Sequence, residues 1–362
     1  DNGSFINGVI SAADAIDNGS ILQGNTQGLA SLIVNSNGGG VFDSQILLSQ
    51  LDTFWQGDRL DGDTVLRGEI TQIDIRNGDL FRSTVRVADL GGLRVTNGAF
   101  DASFLDVRGR VINEVVADEF RNSTLDGGVL EYRPNQISIT EDLQSLRTTS
   151  TNGTISDTTI SVVGEVRSGI TAGNIIRSAI EIANTLRTLT IRGDMLASEL
   201  VVGQLITMNV DNSIRVSSIT VSGPLTSLRV GNAIDRSDIS VTGPDGRIDL
   251  ISVVNDMDAQ VSSSGRIGTI RSTMGSIDGS ITTTNERGDI VLLDAAVDFL
   301  ASTDIGGNLA EIEAGRNIGD ASDPSVILVR GNLTELDVEN GRLYSDLRVG
   351  GDVTREIIIG SV

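Results

Sequence analysis

The side chains of this chain that can carry chemistry form a narrow set. It has 49 Asp and Glu residues and 27 basic residues, all of the latter Arg, with no His and no Cys. Lack of His and Cys excludes Ser–His and Cys–His nucleophile systems, and lack of Lys excludes Schiff bases. Lack of Cys also excludes disulfide frameworks and thiolate zinc sites. What remains is carboxylate chemistry assisted by Arg. Several carboxylate oxygens together bind a hard cation such as calcium. Two carboxyl groups about 5 to 9 Å apart do acid–base work on a glycosidic bond.

One acidic run is GDRLDGDT, with Asp58, Asp61 and Asp63. It is a candidate calcium loop and the only cofactor reading the sequence offers. Full EF-hand spacing is absent, and a solvated acidic turn is the alternative. Elsewhere the acids are scattered, and no segment gathers Asp, Glu and Arg beside an aromatic sugar platform. The net charge of −22 argues against a nucleic-acid partner, which needs a basic footprint. No apolar run reaches the length of a membrane span. The expected partners are other copies of the chain and cell-surface glycans.

The elements that position these residues repeat. LITMNVDNSIRVSSITVSG, LTSLRVGNAIDRSDISVTG and LTELDVENGRLYSDLRVGG begin at Leu205, Leu225 and Leu333. A period of about 21 residues identifies a solenoid in which each coil packs on its neighbours. Coil starts fall at Leu143, Val166, Leu186, Leu205, Leu225, Ile248, Ile267, Ile290, Leu309, Leu333 and Val353. Apolar residues occupy the first, fourth and sixth positions, and the last two share one face of a strand. Next comes a polar corner with Asn212, Asn232, Asn255 and Asn340. Asn tolerates left-handed backbone, and stacked Asn residues predict an amide ladder. A second alternating run follows a small residue such as Ser178, Ser198, Ser218 or Ser237. The coils show no helical periodicity. The expected fold is all-β, a single-stranded parallel β-helix (β-solenoid) of roughly 13 to 15 coils over residues 68–362, with coils about 4.8 Å apart.

Residues 1–67 read differently, as an N-terminal extended segment and cap. Ile46, Leu47, Leu51 and Phe54 predict a short amphipathic helix near 43–55. The ends carry the functional expectation. An open solenoid end is a row of unpaired strand groups, and Ile357, Ile358 and Ile359 present an apolar one. The segment containing Phe5, Ile6, Val9 and Ile10 is expected to add a strand to it from the next subunit. Such a head-to-tail contact does not close and gives a filament.

The motifs GNLTELDVENGRLYSDLRVGGDV and GPLTSLRVGNAIDRSDISVTG resemble the coils of secreted bacterial or archaeal β-solenoid surface proteins, such as adhesin and autotransporter passengers. They are also somewhat similar to the coils of bactofilins. The resemblance implies a parallel β-helix, surface location and end-to-end assembly. The reading is therefore a structural subunit of an extracellular filament or surface layer, not an enzyme. The alternatives are a secreted carbohydrate-active β-helix enzyme of the polysaccharide lyase or glycosidase type, and a monomeric adhesin.

Overall fold

A computed structural model describes residues 69–122 and 135–360, except Asn77, Arg82, Ser83 and Arg287, together with six short strands between Val9 and Leu48. The described elements are all strands, and the fold is a parallel β-solenoid of about 14 turns with ~20-residue spacing. The chain divides into two units, Asp1–Asn184 and Thr185–Val362.

In the C-terminal unit each coil contributes to three parallel stacks. The first contains Leu225–Val230, Ile248–Val253, Ile267–Ser272, Ile290–Ala295, Leu309–Ala314 and Leu333–Val338. Leu225 pairs with Ile248, Ile248 with Ile267, Ile267 with Ile290, Ile290 with Leu309 and Leu309 with Leu333. Leu333 bridges to Val353. The coil starts read from the sequence are thus the residues that stack in register. In each of these strands the first, fourth and sixth residues are buried and the others face outward. Two consecutive outward residues interrupt the period of two, so the chain bends between its first and fourth positions. The second stack includes Ser218–Val221, Met257–Ser263, Ser302–Ile305 and Val326–Val329. The third is short, as in Met195–Leu196, Ile214–Arg215 and Asp298–Phe299.

The stacks enclose columns of branched aliphatic residues, each side chain stabilising the fold by about 1.5–3 kcal/mol when fully buried. Aromatics enter this core at few points. In the N-terminal unit one column runs Leu80, Phe100, Phe120, Ile155, Ile175. Its two rings lie 5.8 Å apart and are fully buried.

The N-terminal residues depart from expectation. Val9–Ala12 pairs with Ser31–Asn35, which pairs with Gln72–Arg76 across the boundary expected at residue 68. Ser20–Gln23 pairs with Gln45–Leu48, and Gln45 pairs with Thr84. The helix expected near 43–55 is therefore corrected over its described part: Ile46 and Leu47 belong to a strand. A short apolar run has no periodicity that separates strand from helix, and parallel register with the neighbouring coils decides the outcome. Leu51 and Phe54 lie outside the described residues.

The corner before the second stack is built in an unexpected way. Ala102, Asp157, Arg177, Ala197, Val216 and Arg236 have φ between 46° and 50°. Left-handed backbone is unfavourable for residues with a Cβ, by roughly 1–2 kcal/mol. Each is followed by a hydroxyl residue, Ser103, Thr158, Ser178, Ser198, Ser217 or Ser237, whose Oγ donates to the carbonyl two residues earlier at 2.8 to 2.9 Å. That bond pins the bend. At other corners successive backbones meet so closely that only glycine fits; a Cβ on Gly243 would lie 1.6 Å from the Ser222 carbonyl oxygen.

Candidate functional site

Register brings side chains from successive coils to about one strand spacing, 4.7–4.9 Å. Every outward or corner position is therefore a column, and its chemistry depends on whether neighbours in the column attract. The Asn corner is such a column. Asn255 Nδ2 donates to Asn232 Oδ1 at 2.7 Å, Asn232 Nδ2 to Asn212 Oδ1 at 3.2 Å, and Asn212 Nδ2 to Asp194 Oδ1 at 2.8 Å. The amide ladder exists for Asn212, Asn232 and Asn255. Asn340 is corrected: it is exposed and stands outside the ladder. The corner N–H in its coil, that of Arg342, is accepted by Asn317 Oδ1 at 3.1 Å, and Asn317 itself stacks on Asp298.

A second column lies just before the first stack and carries no mark in the repeat as read. The N–H of Asn308 donates to Asp289 Oδ1, that of Asn332 to Asn308 Oδ1, and that of Asp352 to Asn332 Oδ1, at 2.7 to 2.8 Å. An Asp or Asn in that position accepts the backbone donor of the next coil. The signal is in the sequence, as the Asp or Asn that precedes the coil starts Ile290, Leu309, Leu333 and Val353.

The outer face of the first stack gathers the acids that looked scattered. Asp294 pairs with Glu313 and Glu313 with Asp337; on the same strands Glu311 pairs with Glu335. Five carboxyl groups from three coils thus share one face. A hydrogen bond with Glu311, partial burial and the charges of Glu311, Asp294 and Asp337 together push the Glu313 carboxyl up to about 7. Burial also raises Asp294, against the lowering effect of Arg271. The face therefore holds, among other acids, a carboxyl whose proton can be given or taken near neutral pH. Sequence reading missed it because the five residues are spread from 294 to 337, and only exact register joins them.

Other outward charges form ion pairs across coils. Arg121 meets Asp101 at 3.0 Å, Arg177 meets Asp157 at 2.7 Å, and Arg330 meets Asp304 at 3.0 Å. Glu114 lies between Arg94 and Arg147 at 2.8 and 2.9 Å. The Arg147 hydrogen bond is the main cause that lowers its carboxyl below the usual range. Arg316 caps Asp298 in the same way.

Of the other expected site residues, Asp58, Asp61 and Asp63 lie outside the described residues, as do Phe5 and Ile6. Among the described residues no cluster of Asp and Glu is arranged to hold a metal ion. Val9 and Ile10 belong to the strand paired with Ser31–Asn35. Ile357, Ile358 and Ile359 pair with Leu336, Asp337 and Val338 and are 41%, 38% and 46% exposed. Among the described residues no helix is long and apolar enough to cross a membrane.

These features define the class of protein, a parallel β-solenoid whose polar side chains are organised as inter-coil columns. The chain matches no known protein-family model, no curated protein sequence and no solved structure.

Proposed function

We propose that the chain is a structural subunit of an extracellular filament or surface layer, assembled head-to-tail through its coils. The observation that supports this most is the use of its polar groups. Asp, Glu, Arg, Asn and Ser side chains bond from coil to coil along the stacks, so many of the residues able to do chemistry hold the solenoid together. The exposed Ile357–Ile359 strand supplies an apolar edge in parallel register. In this reading the Val9–Ala12 coil of another copy stacks on it by strand addition, giving a contact that propagates.

Electron microscopy over a concentration series tests the proposal. Unbranched fibres that lengthen with concentration, and that Ile358→Asp abolishes while the β-rich circular dichroism persists, are the expected result. Dispersed particles at every concentration would overturn it.

The carboxyl face favours a second reading, a carbohydrate-active enzyme in which Glu313 donates a proton to a glycosidic oxygen beside Glu311. Reducing-end release from a polysaccharide panel, lost in Glu313→Gln, supports it; no release from any member of the panel removes it.

A further inference from the structure

We propose that Asn152 is an N-glycosylation site, the acceptor that the fold selects among the described Asn-x-Ser/Thr sequences. Three of these fall within the described residues, at Asn122, Asn152 and Asn332. An acceptor must present a free side-chain amide on an accessible turn. Asn122 is 8% exposed, which leaves no room for a saccharide. Asn332 is held in a column: its Oδ1 accepts the N–H of Asp352 at 2.8 Å, and its own N–H donates to Asn308 at 2.8 Å. A glycan joins Nδ2 and leaves these bonds intact, but the bond to Oδ1 holds the amide against the next coil, so that it does not turn freely into a transferase.

Asn152 differs from Asn122 in exposure and from Asn332, which is also exposed, in that no neighbouring coil among the described residues bonds its side-chain amide. It is exposed, on the turn between Leu143–Thr148 and Thr154–Ser156. The turn is fixed through its main chain, with the Asn152 N–H donating to Ser150 Oγ at 3.2 Å and Thr154 Oγ1 donating to the Asn152 carbonyl at 3.4 Å. Its side-chain amide is left to solvent. In the adjacent coil Gly173 lies against this turn, and a Cβ there would lie 2.5 Å from the Asn152 carbonyl carbon. Glycine at that point puts no side chain over the turn.

The donor is a saccharide joined through a pyrophosphate to a lipid carrier. Asn152 Nδ2 attacks the anomeric carbon. The new C–N bond forms as the bond from that carbon to the pyrophosphate oxygen breaks, the electron pair leaves with the lipid pyrophosphate, and the amide nitrogen loses a proton. In the living cell this requires export and so rests on the extracellular reading above. The test is run outside the cell, so that its failure and the failure of fibre formation are separate results.

The folded full-length chain, with Asn2→Gln and Asn18→Gln, is incubated with a sequon-specific oligosaccharyltransferase and its lipid-linked donor. A synthetic peptide of residues 148–156 serves as positive control. Intact mass is expected to rise by one glycan, mapped to Asn152 by glycopeptide sequencing and absent from Asn152→Gln, whose melting temperature matches the parent chain. A modified peptide with an unmodified folded chain overturns the proposal, as does a glycan carried by Asn122 or Asn332 in place of Asn152.

Discussion

The buried column of Asn and hydroxyl residues and the outer acidic row on the first stack are built by the same rule with opposite results. In the column, Asn135 Oδ1 accepts the Ser103 N–H and its Nδ2 donates to Thr158 Oγ1; Ser178 Oγ then accepts the Thr158 N–H. In the C-terminal unit Ser217 Oγ accepts the Ser198 N–H, and Ser237 Oγ accepts that of Ser217. Amides and hydroxyls both donate and accept, so stacking them satisfies each member. Carboxylates only accept, so stacking Asp294, Glu313 and Asp337 sets like charges against one another. A solenoid multiplies whatever its columns contain. Groups of dual character stabilise it, and groups of one sign leave it responsive to pH.

The largest expected effect breaks the buried column at its amide member, Asn135. Asn135 is fully buried and makes a third bond, from Nδ2 to the Phe100 carbonyl oxygen at 3.2 Å. Asn135→Ala strands the Ser103 N–H and opens a small cavity. It should destabilise the chain by about 3 kcal/mol, within the usual range for a buried polar network. Urea denaturation measures this, and the loss should be the same at pH 5 and pH 8. A change below about 0.5 kcal/mol would mean that the column is incidental to stability.

A smaller effect of opposite sign sharpens the account of the corner. Val216 combines φ of 50° with a β-branched side chain that is 51% exposed. Val216→Gly removes the Cβ clash and little burial, so it should stabilise the chain by up to about 1 kcal/mol. The same substitution at a corner of ordinary φ should destabilise. Thermal melting of Val216→Gly and Val216→Ala distinguishes backbone relief, which requires glycine, from a simple loss of exposed apolar surface.

These corners show what was legible beforehand. The apolar positions of each coil carry the register by themselves, because one face of every strand is buried and a slip of one residue would expose it. Leu225, Ile248, Ile267 and Ile290 were therefore readable as a column, and the solenoid with them. The Asn ladder was readable where the spacing is constant, at Asn212, Asn232 and Asn255, and failed at Asn340, whose coil takes its acceptor from Asn317. The left-handed residues were not readable, since Val216 and Arg236 are poor formers of that conformation; only the following Ser217 and Ser237 mark it. The carboxyl face was least readable. Loops of different length separate its residues in sequence, and their interaction exists only after the coils are stacked.

The smallest expected effect concerns that face and carries a sign. Glu313 keeps its proton up to about 7, above the ordinary value of 4.5. The folded chain thus holds this proton more tightly than the unfolded chain, so its contribution is full below about 4.5 and is lost as pH rises through about 7. Glu313→Gln imitates the protonated state. It should match the parent chain in stability near pH 4.5 and exceed it above pH 7, by no more than about 1 kcal/mol on a face open to solvent screening. Added salt should shrink that gain, because it screens the repulsion from Asp294, Glu311 and Asp337. Asn135→Ala, by contrast, should respond to neither pH nor salt. An equal effect of Glu313→Gln at both pH values would show that the acidic row does not titrate as a coupled set, and the contrast between the two columns would then be one of burial alone.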